Sequence, residues 1–255
     1  MYSYVIDGMT WSYSRIRCFY DCPYQFFLKY IYGLEEEPRF FSSYGSFIHS
    51  LLAKVYSGDL SAREAYTHYI CSFKDHVVGK APSPDVRLHY FEAGAQMFER
   101  IPSVSKVIGV EKKFRFKVKQ WPFIAFVDLI VEREDGCIEI WDHKSHTLRP
   151  RSRKSRTTKT DAELDEYLRQ LYLYAVPVSK FAHREPDGLV FHCYRSGLIV
   201  KEPFRADRYR AAKDWAVESI REIRGCEKFS PRPEYFKCKY LCGVSEQCEY
   251  CSSSF

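Results

Sequence analysis

Residues 122–145, PFIAFVDLIVEREDGCIEIWDHKS, contain two apolar runs joined by the short link Glu134-Asp135-Gly136. Such runs are typical of β-strands, and the turn-forming link predicts a hairpin of strands 122–133 and 137–145. The first run is apolar on both faces, which is typical of a central strand that is covered on both sides. This stretch therefore predicts the middle of a sheet.

The hairpin also carries two aspartates and a lysine that can lie close together. Asp142 and Lys144 lie two residues apart on a strand and so share one face, and Asp128 on the preceding strand can lie across from Asp142. Two close carboxylates repel each other and require a cation, and hard oxygen ligands select Mg²⁺ or Mn²⁺. A nearby lysine can hold an attacking water or stabilise charge on a phosphate. The set fits phosphodiester hydrolysis, although D-x-K alone also occurs by chance at strand ends.

Working outward, the first hundred residues are predicted to be largely helical, and further strands and helices surround the hairpin. Asp161 is the predicted N-cap of the helix that follows the hairpin. The predicted helices are 12–34, 43–56, 61–78, 84–101, 161–176 and 206–224, and the other predicted strands are 107–118, 188–195 and 198–204. We expect one α/β domain of residues 1–255, with a helical part (1–104), a catalytic core (105–204) and a C-terminal helix and Cys-rich tail (205–255).

Composition restricts the function classes. The 255 residues are 45% hydrophobic, with a net charge of +6, so they can form a core and accept an anionic partner. No apolar run reaches the roughly 18 residues needed to cross a bilayer. Because the N-terminus lacks a charged leader followed by an apolar stretch, we expect a cytoplasmic protein without membrane association.

A basic tract follows the hairpin. Residues 144–159 contain seven Lys or Arg and no acidic residue. Such a tract is either a solvated loop or a phosphate-binding segment, and its position beside the candidate site favours the second interpretation. The candidate nucleic-acid contacts are Arg149, Arg151, Arg153, Lys154, Arg156 and Lys159.

Ten cysteines are present, and four of them (Cys238, Cys242, Cys248 and Cys251) lie in the last eighteen residues. In a reducing compartment this clustering favours a metal or metal–sulfur site over disulfides. Zn²⁺ would use all four tail thiolates, whereas an iron–sulfur cluster would use three of them and a distant fourth.

Three segments together resemble a known family. F-V-D-L-I, I-E-I-W-D-H-K-S and Q-L-Y-L-Y-A resemble successive motifs of the PD-(D/E)XK nuclease superfamily, most closely its RecB-like exonucleases and the nucleases of CRISPR adaptation. The resemblance implies a restriction-endonuclease-like core, in which helices flank a central mixed β-sheet. The implied catalytic residues are Asp128, Asp142, Lys144, Gln170 and Tyr174.

The upstream G-S-F-I-H-S-L-L is similar to the family's G-x-x-x-H helix, which makes Gly45 and His49 the matching residues. The implied ligands of Mg²⁺ or Mn²⁺ are His49, Asp128, Asp142 and the backbone carbonyl of His143. Glu111 resembles an acidic position of less defined role and is a secondary candidate. Phe126 departs from the family pattern, which has a small residue two positions before the first aspartate.

The cysteines fit the same resemblance. Cys22-Pro23-Tyr24-Gln25-Phe26 is similar to the C-P-x-x-F segment of RecB-like iron–sulfur nucleases, which implies a [4Fe-4S] cluster on Cys22, Cys238, Cys242 and Cys248. The spacing C-x3-C is one residue longer than usual, so Cys251 is a candidate substitute. Zn²⁺ in the tail remains the alternative, and Cys18 is expected to be a buried apolar residue.

The function implied is a deoxyribonuclease, most closely an exonuclease acting on single-stranded or end-containing DNA in recombination, repair or CRISPR adaptation. A helicase, a recombination protein or a CRISPR-adaptation protein is the partner type that the resemblance suggests. The alternative is a catalytically silent nuclease fold that binds DNA as a subunit of a larger complex.

Overall fold

A computed structural model describes residues 2–154 and 156–252. Helices occupy the first hundred residues, and three strands, a helix, two strands and further helical segments follow in that order. The helices are α1 (Ser3–Asp7), α2 (Tyr13–Asp21), α3 (Pro23–Phe26), α4 (Phe40–Tyr56), α5 (Ala62–His76), α6 (Pro84–Met97), α7 (Lys159–Phe181), α8 (Ala206–Gly225) and α9 (Glu249–Ser252). The strands are β1 (Lys106–Val118), β2 (Trp121–Glu132), β3 (Ile138–Lys144), β4 (Gly188–Cys193) and β5 (Leu198–Pro203).

The five strands form one sheet in the order β1-β2-β3-β4-β5. β3 and β4 are parallel because α7 lies between them in the chain, and the other neighbouring pairs are antiparallel. The sheet is therefore mixed, and its α/β architecture confirms the predicted fold class, with the helical N-terminal layer and the Cys-rich C-terminal region.

Helices cover the two faces of the sheet. The predicted apolar stripe of α7, which includes Leu164, Leu168 and Leu171, is buried against the face that carries Ile140 and Phe191. On the opposite face, the end of α4 packs against a smaller apolar cluster of four buried residues, which are Leu129, Val131, Trp141 and Val190. Burial on both faces explains why β2 and β3 are apolar throughout.

The two ends of the chain pack together beside the distal part of the β1–β2 hairpin. Trp11 exchanges backbone hydrogen bonds with β2, donating to the Pro122 carbonyl and accepting from Ile124 N–H, each at 2.8 Å. Around Trp11, one apolar cluster combines Phe26 of the N-terminal helices with Ile220 of α8. The backbone around Trp11 therefore pairs with the part of β2 that β3 leaves unpaired.

The N-terminal helix is more segmented than the sequence predicts. Predicted helix 12–34 is divided at Cys22, whose extended backbone (φ −158°) suits the residue before Pro23. A π-helical turn, Phe27–Tyr32, follows and ends at Gly33, which adopts a left-handed conformation (φ +86°).

The predicted cap of α7 is wrong by three positions. Thr158 is the N-cap, and Asp161 is the third helical residue, where its carboxylate accepts the Thr158 N–H in a capping box. α7 also continues past Pro177 to Phe181, because apolar packing stabilises the helix beyond the proline. Within the described residues, no helix is both long and apolar enough to span a bilayer.

Candidate active site

Asp128 and Asp142 meet where β2 and β3 separate. The β2–β3 ladder ends at Leu129 and Trp141, and the next backbone donor, His143 N–H, binds Oδ2 of Asp128 at 2.7 Å instead. The two carboxylates are almost fully buried, with 8% of Asp128 and 2% of Asp142 exposed. The side chain of Asp128 therefore replaces a ladder bond and holds the two strand ends apart at a fixed distance.

The side-chain alternation of the hairpin is interrupted at this level. Val127 packs in the α7 cluster, whereas Leu129 packs in the cluster on the opposite face, although the two residues lie two positions apart. On β1, Glu111 has a left-handed backbone (φ +43°), which is unfavourable for a residue with a Cβ and is seen most often at functional sites.

The conformation of Glu111 brings its carboxylate to the site. Oε1 of Glu111 lies 3.6 Å from Nδ1 of His49, and Oδ2 of Asp128 lies 3.5 Å from the same nitrogen. His49, Glu111 and Asp128 present ligand atoms that all lie within 4.8 Å of one another. Glu111, a secondary candidate from the sequence, thus belongs to the most compact ligand group, and its unusual φ leaves no signal in the sequence.

His49 is fixed by the backbone of β3. Its Nε2 lies 3.0 Å from the His143 carbonyl, which only accepts, so Nε2 carries the proton and Nδ1 faces the carboxylates. Burial lowers the pKa of His49, but Glu111, Asp128 and Asp142 outweigh that effect and raise it to about 9. Without a metal, a proton on Nδ1 supplies the positive charge that the carboxylates require.

The electrostatics of the site fit a divalent cation. Burial and the neighbouring Asp142 raise the pKa of Asp128 to about 7, which reflects the cost of two buried negative charges. Oδ2 of Asp142 is buried and lies 2.6 Å from the ammonium of Lys144. Carboxylate oxygens and one imidazole nitrogen suit Mg²⁺ or Mn²⁺. His49, Glu111, Asp128 and Asp142 are the residues that would hold it. The His143 carbonyl, the fourth ligand expected from the sequence, accepts the Nε2 proton of His49 instead.

Lys144 connects the carboxylates to α7. Its Nζ lies 2.6 Å from Oδ2 of Asp142 and donates to Oε1 of Gln170 at 2.9 Å. Nε2 of Gln170 in turn donates to the hydroxyl of Tyr174 at 2.7 Å. Burial opposes the charge on Lys144, but Asp142 more than compensates and raises the pKa of Lys144, so the ammonium stays charged. The structure thus brings Gln170 and Tyr174 into one chain of hydrogen bonds with Lys144.

The side chain of His143 points away from the carboxylates. Its ring stacks on Tyr56 of α4, with ring centroids 5.8 Å apart, and its Nδ1 lies 3.1 Å from Nδ1 of His192. Burial lowers the pKa of both histidines, that of His192 to about 4, so one of the two nitrogens accepts and the other donates. This buried pair, which the sequence analysis did not identify, anchors the backbone that carries the His143 carbonyl.

The basic tract begins close to the carboxylates and is tied to α7. Asp161 accepts hydrogen bonds from the backbone and the hydroxyl of Ser152, at 2.7 and 2.6 Å. Arg151 forms ion pairs with Asp165 at 2.6 Å and with Glu202 at 3.0 Å, so its guanidinium is already engaged. The other five candidate nucleic-acid contacts, which are Arg149, Arg153, Lys154, Arg156 and Lys159, are exposed.

Five cysteines from the two chain ends line one cavity. They are Cys22, Cys238, Cys242, Cys248 and Cys251. Cys22 precedes α3, and Cys238 lies in a second π-helical turn, Lys237–Leu241. Burial raises the pKa of the Cys242 thiol to about 11, so its thiolate form would need a bound cation to stabilise it. Cys18 is buried in the N-terminal apolar cluster, as predicted.

Comparisons with known proteins agree with this geometry. Residues 10–249 match the family model described as the PD-(D/E)XK nuclease superfamily. The chain belongs to the PD-(D/E)XK nuclease superfamily. A crystal structure of a candidate exonuclease from Eubacterium rectale is similar over 96% of this chain and 88% of that chain, with a TM-score of 0.53 and 12% identity. At this identity the likeness shows the fold alone. A comparison with curated protein sequences gives no significant match.

Proposed function

We propose that this member of the nuclease superfamily is a metal-dependent deoxyribonuclease, and specifically an exonuclease acting on single-stranded or end-containing DNA. The observation that carries the proposal is the buried pair Asp128 and Asp142, with His49 and Glu111 on one side and Lys144 on the other. A buried excess of negative charge is costly unless a cation compensates it, and a divalent metal is the cation that phosphodiester cleavage uses.

Each residue has a distinct task in the proposed reaction. Mg²⁺ or Mn²⁺ on His49, Glu111, Asp128 and Asp142 would supply positive charge at the scissile phosphate. The ammonium of Lys144 is positioned to donate to the attacking water and to stabilise charge that develops on phosphate oxygens.

The Gln170–Tyr174 pair keeps the ammonium of Lys144 oriented and places two polar side chains at the cleft. The exposed side chains of the basic tract are the proposed contacts for backbone phosphates, which set the position of the strand without reading its sequence. Arg151 is the exception, because its two ion pairs fix it within the protein.

We further propose a [4Fe-4S] cluster at the cysteine cavity, with Cys22, Cys238, Cys242 and Cys248 as ligands and Cys251 as the substitute. A zinc site would use the four tail thiolates alone, whereas an iron–sulfur cluster would use three of them and a distant fourth. Cys22 lines the same cavity as the tail cysteines although it is more than two hundred residues away in the chain. The presence of this distant cysteine supports the cluster over Zn²⁺.

Iron and sulfide assays on anaerobically purified protein test the cluster. Cys22→Ala and Cys238→Ala are each expected to lose iron, whereas Cys226→Ala, outside the cavity, should keep it. Stoichiometric zinc in colourless wild-type protein would contradict the assignment. If Cys22→Ala retained its iron, Cys22 would not be a ligand of the cluster.

The nuclease is tested with end-labelled single-stranded DNA and Mn²⁺ or Mg²⁺, with chelator as the blank. Asp142→Asn preserves shape but removes a charge, and should reduce cleavage at least a hundredfold. Asp75→Asn removes a charge from the exposed side of α5 and is the matched control, expected to cleave like wild type. Covalently closed circular single strands should resist digestion if the enzyme needs an end.

Two outcomes would contradict the proposal. Cleavage that Asp142→Asn leaves undiminished would show that these carboxylates are not the active site. DNA binding without metal-dependent cleavage by wild type would favour a silent DNA-binding subunit.

We propose recombination, repair or CRISPR adaptation as the pathway, with a helicase, a recombination protein or a CRISPR-adaptation protein as the partner. Copurification from the native host would test that part.

A further inference from the structure

The exposed face of the β1–β2 hairpin carries two parallel rows of side chains beyond the catalytic carboxylates. On β1, Lys113, Arg115 and Lys117 alternate with inward-facing residues and are all exposed. On β2, the residues directly across from them in the ladder are Phe126, Ile124 and Pro122, in that order. The hairpin thus presents a basic row beside an apolar row, about 13 Å long at the usual strand rise.

Phe126 is the residue that ordinary packing does not explain. It is 49% exposed, because alternation along β2 turns it away from the face on which its neighbours Ala125 and Val127 are buried. The ammonium of Lys113 lies over its ring, 5.5 Å from the centroid, on the solvent side of the sheet. Exposed lysines on an edge strand can serve to prevent aggregation, but that role does not require an exposed aromatic ring beside them.

The position of the two rows relates them to the active site. Phe126 lies two residues before Asp128, and Lys113 lies two residues after Glu111, so the rows begin one ladder step from the metal-type ligands. None of Lys113, Arg115 and Lys117 forms an ion pair with a described residue, and their charge is available to an anionic ligand. A nucleic-acid strand leaving the site along the hairpin would meet positive charge on one side and an aromatic face on the other.

We propose that this hairpin face binds single-stranded DNA, with a base stacked on Phe126 and backbone phosphates along Lys113, Arg115 and Lys117. This surface would hold the substrate of the proposed nuclease, and the course of the DNA away from the active site rests on that proposed function. Aromatic stacking and a basic groove together are the usual means of holding unpaired strands without reading sequence. In a duplex the bases already stack on each other, so the ring selects for unpaired DNA.

The test measures binding of fluorescent oligonucleotides in chelator, so that no cleavage is required. Phe126→Leu keeps an apolar side chain but removes the ring, and should weaken single-strand binding about 5- to 150-fold. Duplex binding should change less than twofold. Phe126→Tyr retains an aromatic face and should restore single-strand affinity, which separates stacking from any effect on folding.

The basic row is tested through salt dependence. Replacing Lys113, Arg115 and Lys117 together by Gln should reduce the slope of log affinity against log salt by about 2, at roughly 0.7 per phosphate contact for single strands. The matched control replaces three exposed basic residues on other elements by Gln and should leave the slope unchanged. These residues are Arg63, Lys74 and Lys80.

Two results would overturn the inference. One is an equal effect of Phe126→Leu on single strands and duplexes, and the other is an unchanged salt slope in the triple variant. Neither depends on catalysis. If wild type binds single strands through these rows but does not cleave them, the nuclease proposal fails and the binding surface stands. If wild type cleaves DNA but these variants bind single strands normally, only the proposed binding surface is wrong.

Discussion

Replacing Lys144 by Met should destabilise the metal-free protein strongly, because it leaves Asp142 as a buried carboxylate without a counter-charge. The two side chains are 17% and 3% exposed and their charged atoms lie 2.6 Å apart. Removing one partner of such a buried pair costs about 3–5 kcal/mol. Loss of the hydrogen bond to Gln170 adds about 1 kcal/mol.

The decisive measurement is a double-mutant cycle by urea denaturation at pH 8 in chelator. Asp142→Asn combined with Lys144→Met removes both charges, so the double variant should be more stable than Lys144→Met alone, with a coupling energy of at least about 2 kcal/mol. Mn²⁺ should recover part of the stability of Lys144→Met, because the ion also compensates the carboxylates. Additive effects in the cycle, or no effect of Mn²⁺, would refute this account of the site.

Two further outcomes follow from the structure. Because burial and Asp142 raise the pKa of Asp128 to about 7, its proton is bound more tightly in the folded state, and metal-free stability should fall as pH rises from the ordinary range of an aspartate to that value. Asp128→Asn should reduce this fall between pH 4.5 and 7.5, measured by chemical denaturation in chelator, and an unchanged pH dependence would contradict the cause given. Gly94→Ala should lower stability by a few kcal/mol in thermal denaturation, since the new Cβ would lie 2.2 Å from the hydroxyl of Tyr69. Gly225→Ala, with no neighbouring atom within 4 Å, is the control and should melt like wild type or above it.

The sequence predicts the sheet well because its strands are apolar or alternating runs bounded by turns, a strictly local signal. β3 was predicted at 137–145 and lies at Ile138–Lys144, and the stripe of α7 is buried as its periodicity requires. Alternation along β3 places Asp142 and Lys144 on one face, with Nζ of Lys144 2.6 Å from Oδ2 of Asp142, whereas Asp128 joins them beyond the last paired residues of β2 and β3.

Other features depend on tertiary packing and have no local signal. The left-handed backbone of Glu111 occurs beside the interrupted alternation of β2, and the pairing of His143 with His192 depends on parallel strands far apart in the chain. The ion pairs of Arg151 likewise require α7 and β5 to be in place. Spacing along the chain cannot show which charges in a basic tract are already neutralised.

The apolar cluster formed by both chain ends has a consequence for synthesis on the ribosome. Trp11 and Phe26 are synthesised before their partners, of which Phe123 follows about a hundred residues later and Ile220 about a hundred residues after that. Until Ile220 and Phe229 are added the cluster is only partly assembled, so we expect the nascent chain to carry an incompletely covered apolar surface during much of its translation. A chain released before Phe229 would keep part of that surface exposed to solvent.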